Sequence, residues 1–157
     1  MARSVGATAA HIRFFAQTML AEGVGEGRIG MDMIGTVTMN RIYANCQDFK
    51  GIRNIPQAIR GPRMLDWASP YEAVQNGLVY KMRPKPKDIA LAWRLANGRI
   101  NPRVRISLWY QNPSPPVRRI ACPPRMPRAP LTRYLTEYKN HCFYTGAREY
   151  ECPGFTY

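Results

Sequence analysis

Apolar positions recur along this chain at two different spacings, and the change falls near Pro102. Ile12, Phe15, Met19 and Leu20 follow the step of a helix, so residues 9–22 read as an amphipathic helix. It should end in Glu22-Gly23-Val24-Gly25-Glu26-Gly27, where closely spaced glycines make further helix costly. Met31, Ile34, Val37 and Thr38 put a second helix on residues 30–43. Asn54-Ile55-Pro56 opens a short helix through Ile59, stopped by Gly61-Pro62. Ser69-Pro70-Tyr71-Glu72 reads as a further start, with a Ser cap, Pro in first position and Glu after it, and predicts a helix to about residue 81. After the breaker Arg83-Pro84-Lys85-Pro86, residues 87–97 form another helical pattern (Ile89, Ala92, Trp93, Ala96) closed by Gly98.

Past Pro102 the pattern becomes that of strands. Residues 104–110 predict one, and His141-Cys142-Phe143-Tyr144 a second, short one. Between them, residues 113–130 hold seven prolines and four arginines, which predicts an extended surface loop rather than a packed element. There is no internal repeat. The expected fold class is α+β and mainly helical: one domain over residues 1–157, a helical body carrying a small β-strand pair.

A chain of 157 residues with 45% apolar content can bury a single core. No apolar run reaches the roughly eighteen residues of a membrane helix. His11 and Arg13 interrupt the early apolar stretch, so no secretory signal is expected. The net charge of +13 favours a polyanionic partner: nucleic acid, an anionic envelope polymer or an acidic protein. Specific nucleic-acid binding is not expected, because no such motif occurs and no aromatics interleave with the basic stretch at 113–130. Four cysteines (Cys46, Cys122, Cys142, Cys152) permit three connectivities, and at least one bridge is expected. They contain no CxxC pair, and His11 and His141 complete no zinc spacing, so neither metal nor cofactor is expected.

Acids are scarce, which draws attention to Glu22 and Glu26 on either side of a glycine-rich turn. Cleaving a glycosidic bond needs an acid that protonates the leaving oxygen. A Glu at the end of a largely apolar helix, facing a cleft, can have its pKa raised for that task. The bland alternative is a solvated helix end. On a continuous helix the i, i+4 spacing would bring both carboxylates together, as retaining glycosidases require, but the intervening glycines oppose that geometry.

The segment Leu20-Ala21-Glu22-Gly23-Val24-Gly25-Glu26-Gly27-Arg28-Ile29-Gly30, followed by Val37-Thr38-Met39-Asn40-Arg41, resembles the signature of the SleB/CwlJ cell wall hydrolases. The likeness continues in Ala44-Asn45-Cys46-Gln47-Asp48-Phe49-Lys50-Gly51, Ser107-Leu108-Trp109-Tyr110, Asn112-Pro113 and His141-Cys142-Phe143-Tyr144, closest to the spore cortex-lytic CwlJ branch. The resemblance covers about residues 12–152. It implies a lysozyme-like, lytic-transglycosylase-like helical body, peptidoglycan as substrate, and Glu22 as the catalytic acid. It also implies that Glu26, Asn40, Tyr110, Asn112, His141 and Tyr144 line the substrate groove. Two departures stand out: Ala-Glu-Gly replaces the more common Gly-Glu-Ala around the first Glu, and the Pro/Arg-rich loop is long.

A wall hydrolase without a signal must reach its substrate by another route. The Arg-heavy composition favours a phage particle, in its tail or baseplate; the CwlJ likeness favours the boundary of spore coat and cortex. The alternative from a different class is a catalytically silent docking component of a virion or spore coat, its Arg-rich loop bound to an acidic neighbouring protein.

Overall fold

Thr8 starts the first helix in the computed structural model, which describes residues 5–23, 25–112 and 121–156. Its Oγ1 accepts from His11 N at 3.2 Å while His11 Nδ1 accepts from Thr8 N, a reciprocal capping box. Helix α1 (Ala9–Glu22) buries Ile12, Phe15, Ala16 and Met19 and stops at Gly23, whose N–H still bonds Met19 O. Helix α2 (Gly27–Ala44) begins earlier than its apolar pattern predicts. It is buried on nearly every side, as a central helix must be: Met31, Met33, Ile34, Val37, Met39 and Ile42 are all in the core. Helix α3 (Ile55–Arg60) forms where expected, with Asn54 Oδ1 accepting from Gln57 N.

The helix expected from Ser69 to residue 81 is not continuous. Ser69 Oγ accepts from Tyr71 N and donates to Ile59 O, so it fastens the chain to α3 instead of capping a long helix. The chain then makes one turn, α4 (Glu72–Gln75), and a separate 3-10 turn, Leu78–Lys81. Asn76 Oδ1 accepts from Leu78 N, and Gly77 takes a φ of 79°, a left-handed conformation that ends the helix. Helix α5 (Pro86–Ala96) has Pro86 in its first turn and Asp88 Oδ2 accepting from Lys85 N. It packs Leu91, Ala92, Leu95 and Ala96 into the core cluster that holds Ile12, Phe15 and Met19.

The sheet has three antiparallel strands where a pair was expected. They are β1 (Trp109–Gln111), β2 (Thr132–Tyr138) and β3 (His141–Gly146), in the order β1-β3-β2. The strand expected over 104–110 is mostly not one. Pro102–Val104 is a 3-10 turn, and pairing starts only at Leu108, whose N–H reaches Tyr144 O. In the paired region Tyr110 stands opposite Phe143, and Tyr138 opposite His141. One sheet face carries Tyr110, His141 and Phe143, with Phe143 in a cluster with Met33, Ile34 and Val37 of α2. The other carries Trp109, Cys142 and Tyr144.

Of the Pro/Arg-rich stretch, residues 113–120 lie outside the described residues. Residues 121–130 are irregular and lie along the sheet, with Pro123 O and Pro124 O accepting from Tyr144 Oη and Tyr134 N. Two disulfides select one of the three connectivities: Cys46–Cys152 and Cys122–Cys142. Among the described residues no helix is long and apolar enough to cross a membrane.

Candidate active site

Glu22 is the last residue of α1, and its side chain is half-buried against β1. Tyr110 Oη donates to Glu22 Oε1 at 2.7 Å. Burial raises the Glu22 pKa above the ordinary carboxyl value; the Tyr110 hydrogen bond and the nearby His141 and Arg41 pull against it. Tyr110 is itself held well above the usual phenol value, first by burial and then by Tyr71 and Glu22. Its hydroxyl therefore stays a donor and fixes the carboxyl's orientation.

Glu26 sits just before α2 and is only 2% exposed. Its Oε1 meets His141 Nδ1 at 2.5 Å, while its buried Oε2 has no partner among the described residues. Gly30 makes this placement possible: a Cβ there would come within 2.3 Å of Glu26 Cβ. His141 in turn lies edge-on to the Tyr110 ring, with centroids 5.5 Å apart. Glu22, Tyr110, His141 and Glu26 thus form one connected group, drawn from α1, β1, β3 and the turn before α2. Nδ1 is the ring nitrogen that meets the carboxylate, so Nε2 is the one that remains for a further partner. Tyr110 also lines a cleft of about 450 Å³, whose other walls include Arg41, Phe49, Pro62, Trp109 and Met126, while Glu22, Glu26 and His141 are not among its lining residues. A carboxyl with a raised pKa, joined to an aromatic-walled cleft through Tyr110, is a group that can donate a proton to a bound polymer.

The Cell Wall Hydrolase family profile matches residues 25–144. The chain belongs to this family. Cell wall hydrolase CwlJ of Bacillus subtilis is 37% identical over 145 residues, spanning 92% of each chain. CwlJ of Oceanobacillus iheyensis is 33% identical over 147 residues, and CwlJ of Halalkalibacterium halodurans 32% over 149, each across 92% of the relative's length. No solved structure matches the chain. These relatives support the SleB/CwlJ assignment and a peptidoglycan-degrading role. The profile match begins after Glu22, so the geometry around that residue carries its own weight.

Three other expected groove residues of this cell wall hydrolase stand apart from the Glu22 group. Asn40 is wholly buried, its Nδ2 donating to Val104 O at 3.0 Å and Ser107 O at 2.8 Å, so it holds the chain leading into β1. Tyr144 is wholly buried on the other face of the sheet, because strand residues alternate and His141 already faces Glu26. Asn112 is exposed just past β1.

Sequence reasoning gave no role to Arg41 or Tyr71. Arg41 is 7% exposed, donates from Nε to Leu108 O at 2.9 Å, and lies over the rings of Phe49 and Tyr71. The signal was present: Arg41 continues the helical stripe of Ile34, Val37 and Thr38, so a charge had to enter the interior of the protein.

Proposed function

We propose that this cell wall hydrolase cleaves the glycan strand of peptidoglycan, with Glu22 as general acid. The observation that carries the reading is the half-buried Glu22 carboxyl, raised by burial and oriented by Tyr110, a residue that also lines an aromatic cleft. Glu22 gives its proton to the glycosidic oxygen as the bond to the anomeric carbon breaks. The resulting carboxylate then takes the proton of the muramic C6 hydroxyl as O6 bonds that carbon, or takes one from water. Only one carboxyl is required, which agrees with Glu26 being committed to His141. Glu26 and Asn40 act as positioning residues in this scheme. Tyr110, His141 and the exposed Asn112 offer polar groups to the sugars, and Tyr144 supports the sheet from behind. A lysozyme-like relation of helix end to sheet is part of the same reading. The bacterial relatives favour the spore setting over a phage particle.

The Glu26–His141 pair favours one second reading: hydrolysis of the amide that joins stem peptide to lactyl group, with the imidazole taking a proton from attacking water. Mass spectrometry of products from purified sacculi separates the two. Anhydro-muramic or reducing muramic ends support glycan cleavage, and free stem peptides support amide cleavage. Glu22→Gln should abolish glycan products; undiminished release by this variant would remove Glu22 from the mechanism.

A further inference from the structure

Among the described residues the cleft lined by Tyr110 has one cation in its wall, Arg41, and that cation is incompletely used. Arg41 spends Nε on Leu108 O, and its guanidinium carbon lies 5.6 Å from the Phe49 ring centroid and 5.3 Å from that of Tyr71. Its Nη1 is buried and has no hydrogen-bond partner among the described residues. No ion pair to Arg41 occurs among the described residues, although Arg41 is one of the most buried charges in the protein. Asp48 on the cleft wall takes the Tyr150 hydroxyl on its Oδ2, and Glu22, which feels the Arg41 charge, takes the Tyr110 hydroxyl rather than a guanidinium N–H. Burying a guanidinium without an anion is unfavourable, and an Arg fork with unspent donors is the geometry that receives a carboxylate. The rest of the wall is largely apolar and aromatic: Phe49, Ile52, Pro62, Pro70 and Trp109. Such a surface suits the alkyl parts of a short peptide better than a second charge.

We propose that Arg41 is the specificity residue of this cleft and binds a free carboxylate of the substrate's stem peptide, placing the adjoining sugar at Glu22. Tyr110 links the two sites, since its ring lines the cleft and its hydroxyl holds Glu22. The proposal takes peptidoglycan as substrate, but does not depend on which bond is cut. The same fixed charge acts on Glu22, Tyr71, Tyr110 and Tyr150, so an incoming carboxylate would be felt throughout the site.

The test is a calorimetric titration of the full chain carrying Glu22→Gln. The ligands are a disaccharide-tetrapeptide with free carboxylates and the same compound with those carboxylates amidated, and mass spectrometry confirms that each survives the titration. With Arg41 present, the free-carboxylate ligand should bind about tenfold tighter. Arg41→Lys should keep a reduced preference, because it retains the charge but not the fork, and Arg41→Gln should bring the ratio near one. Because Arg41→Gln empties a buried position and can fail to fold, the unsubstituted arginine is also followed directly. Its guanidinium ¹⁵N resonances should shift with the free-carboxylate ligand and not with the amidated one. Equal affinities for the two ligands, or a preference undiminished in Arg41→Gln, would overturn the proposal. Loss of the glycan-cleavage reading would show in the products from sacculi and leave these binding ratios untouched.

Discussion

Glu22 and Gly30 show most directly how single residues set this site. The native Glu22 carboxyl binds its proton more tightly than the unfolded chain does, because burial outweighs the Tyr110 hydrogen bond and the neighbouring charges. Its contribution to stability is therefore fully present below the unfolded carboxyl value of 4.5 and is lost as pH rises through the raised native value. Glu22→Gln has no such titration. Its melting temperature relative to wild type should climb as pH goes from about 4 to about 8, while glycan cleavage falls by roughly 10²-fold or more. Melting curves across that range check the first, and muropeptide release the second; a pH-independent gap would mean that Glu22 titrates normally. Gly30→Ala tests the neighbouring pair. At an ordinary helical position this change stabilises by about 1 kcal/mol. Here the new Cβ meets Glu26 Cβ at 2.3 Å, so the sign should reverse, with a loss of about 1–3 kcal/mol in urea unfolding and reduced activity.

At the scale of elements, the strand that presents Tyr110 depends on α2. Residues 104–108 have few sheet hydrogen bonds of their own, and side chains of Asn40 and Arg41 take the carbonyls of Val104, Ser107 and Leu108. Asn40→Leu should cost about 2–3 kcal/mol by leaving buried carbonyls unpaired. Activity should fall further than the unfolded fraction explains, because Tyr110 loses its fixed approach to Glu22. Equal losses of activity and folded fraction would show that the tether serves stability alone. This dependence also explains what could be read in the sequence. The first helix was legible from its periodicity over residues 9–22, and the short one after Asn54 from its Asn-Ile-Pro start. The stretch after Ser69 misled because its Ser-Pro-Tyr-Glu start signal is followed by a single turn of helix, with Ser69 Oγ bonded to α3 and the backbone turning away at Asn76-Gly77. Strand β2 escaped notice because a bulge between Tyr134 and Thr136 breaks its alternation and most of its residues are only half-buried. Glu22 was legible as chemistry; its contact with Tyr110 was not, because a pairing 88 residues apart leaves no local trace.

Across the whole molecule, the two disulfides divide the work of holding this arrangement. Cys46–Cys152 closes a separation of 106 residues and clasps the end of α2 to the segment beyond β3. Around it, Tyr150 Oη donates to Asp48 Oδ2, and Thr145 Oγ1 donates to Phe155 O. Cys122–Cys142 closes only 20 residues, but Cys142 is the residue next to His141 and stands opposite Gln111 of β1. Loop-closure entropy assigns roughly 4.7 kcal/mol to a bridge of the first length and roughly 3.3 kcal/mol to the second. Stability and activity should therefore separate. Replacing Cys46 and Cys152 together by Ala should lower the melting temperature more than replacing Cys122 and Cys142. The second pair should lose more activity at a temperature where both variants remain folded, because β3 then holds His141 against Glu26 without its brace. Thermal melts and sacculus digestion on the two double variants, side by side, measure both quantities. If the short-bridge variant kept full activity, sheet pairing with β1 and β2 would be enough to place His141, and the bridge would serve only to anchor residues 121–124 on the sheet.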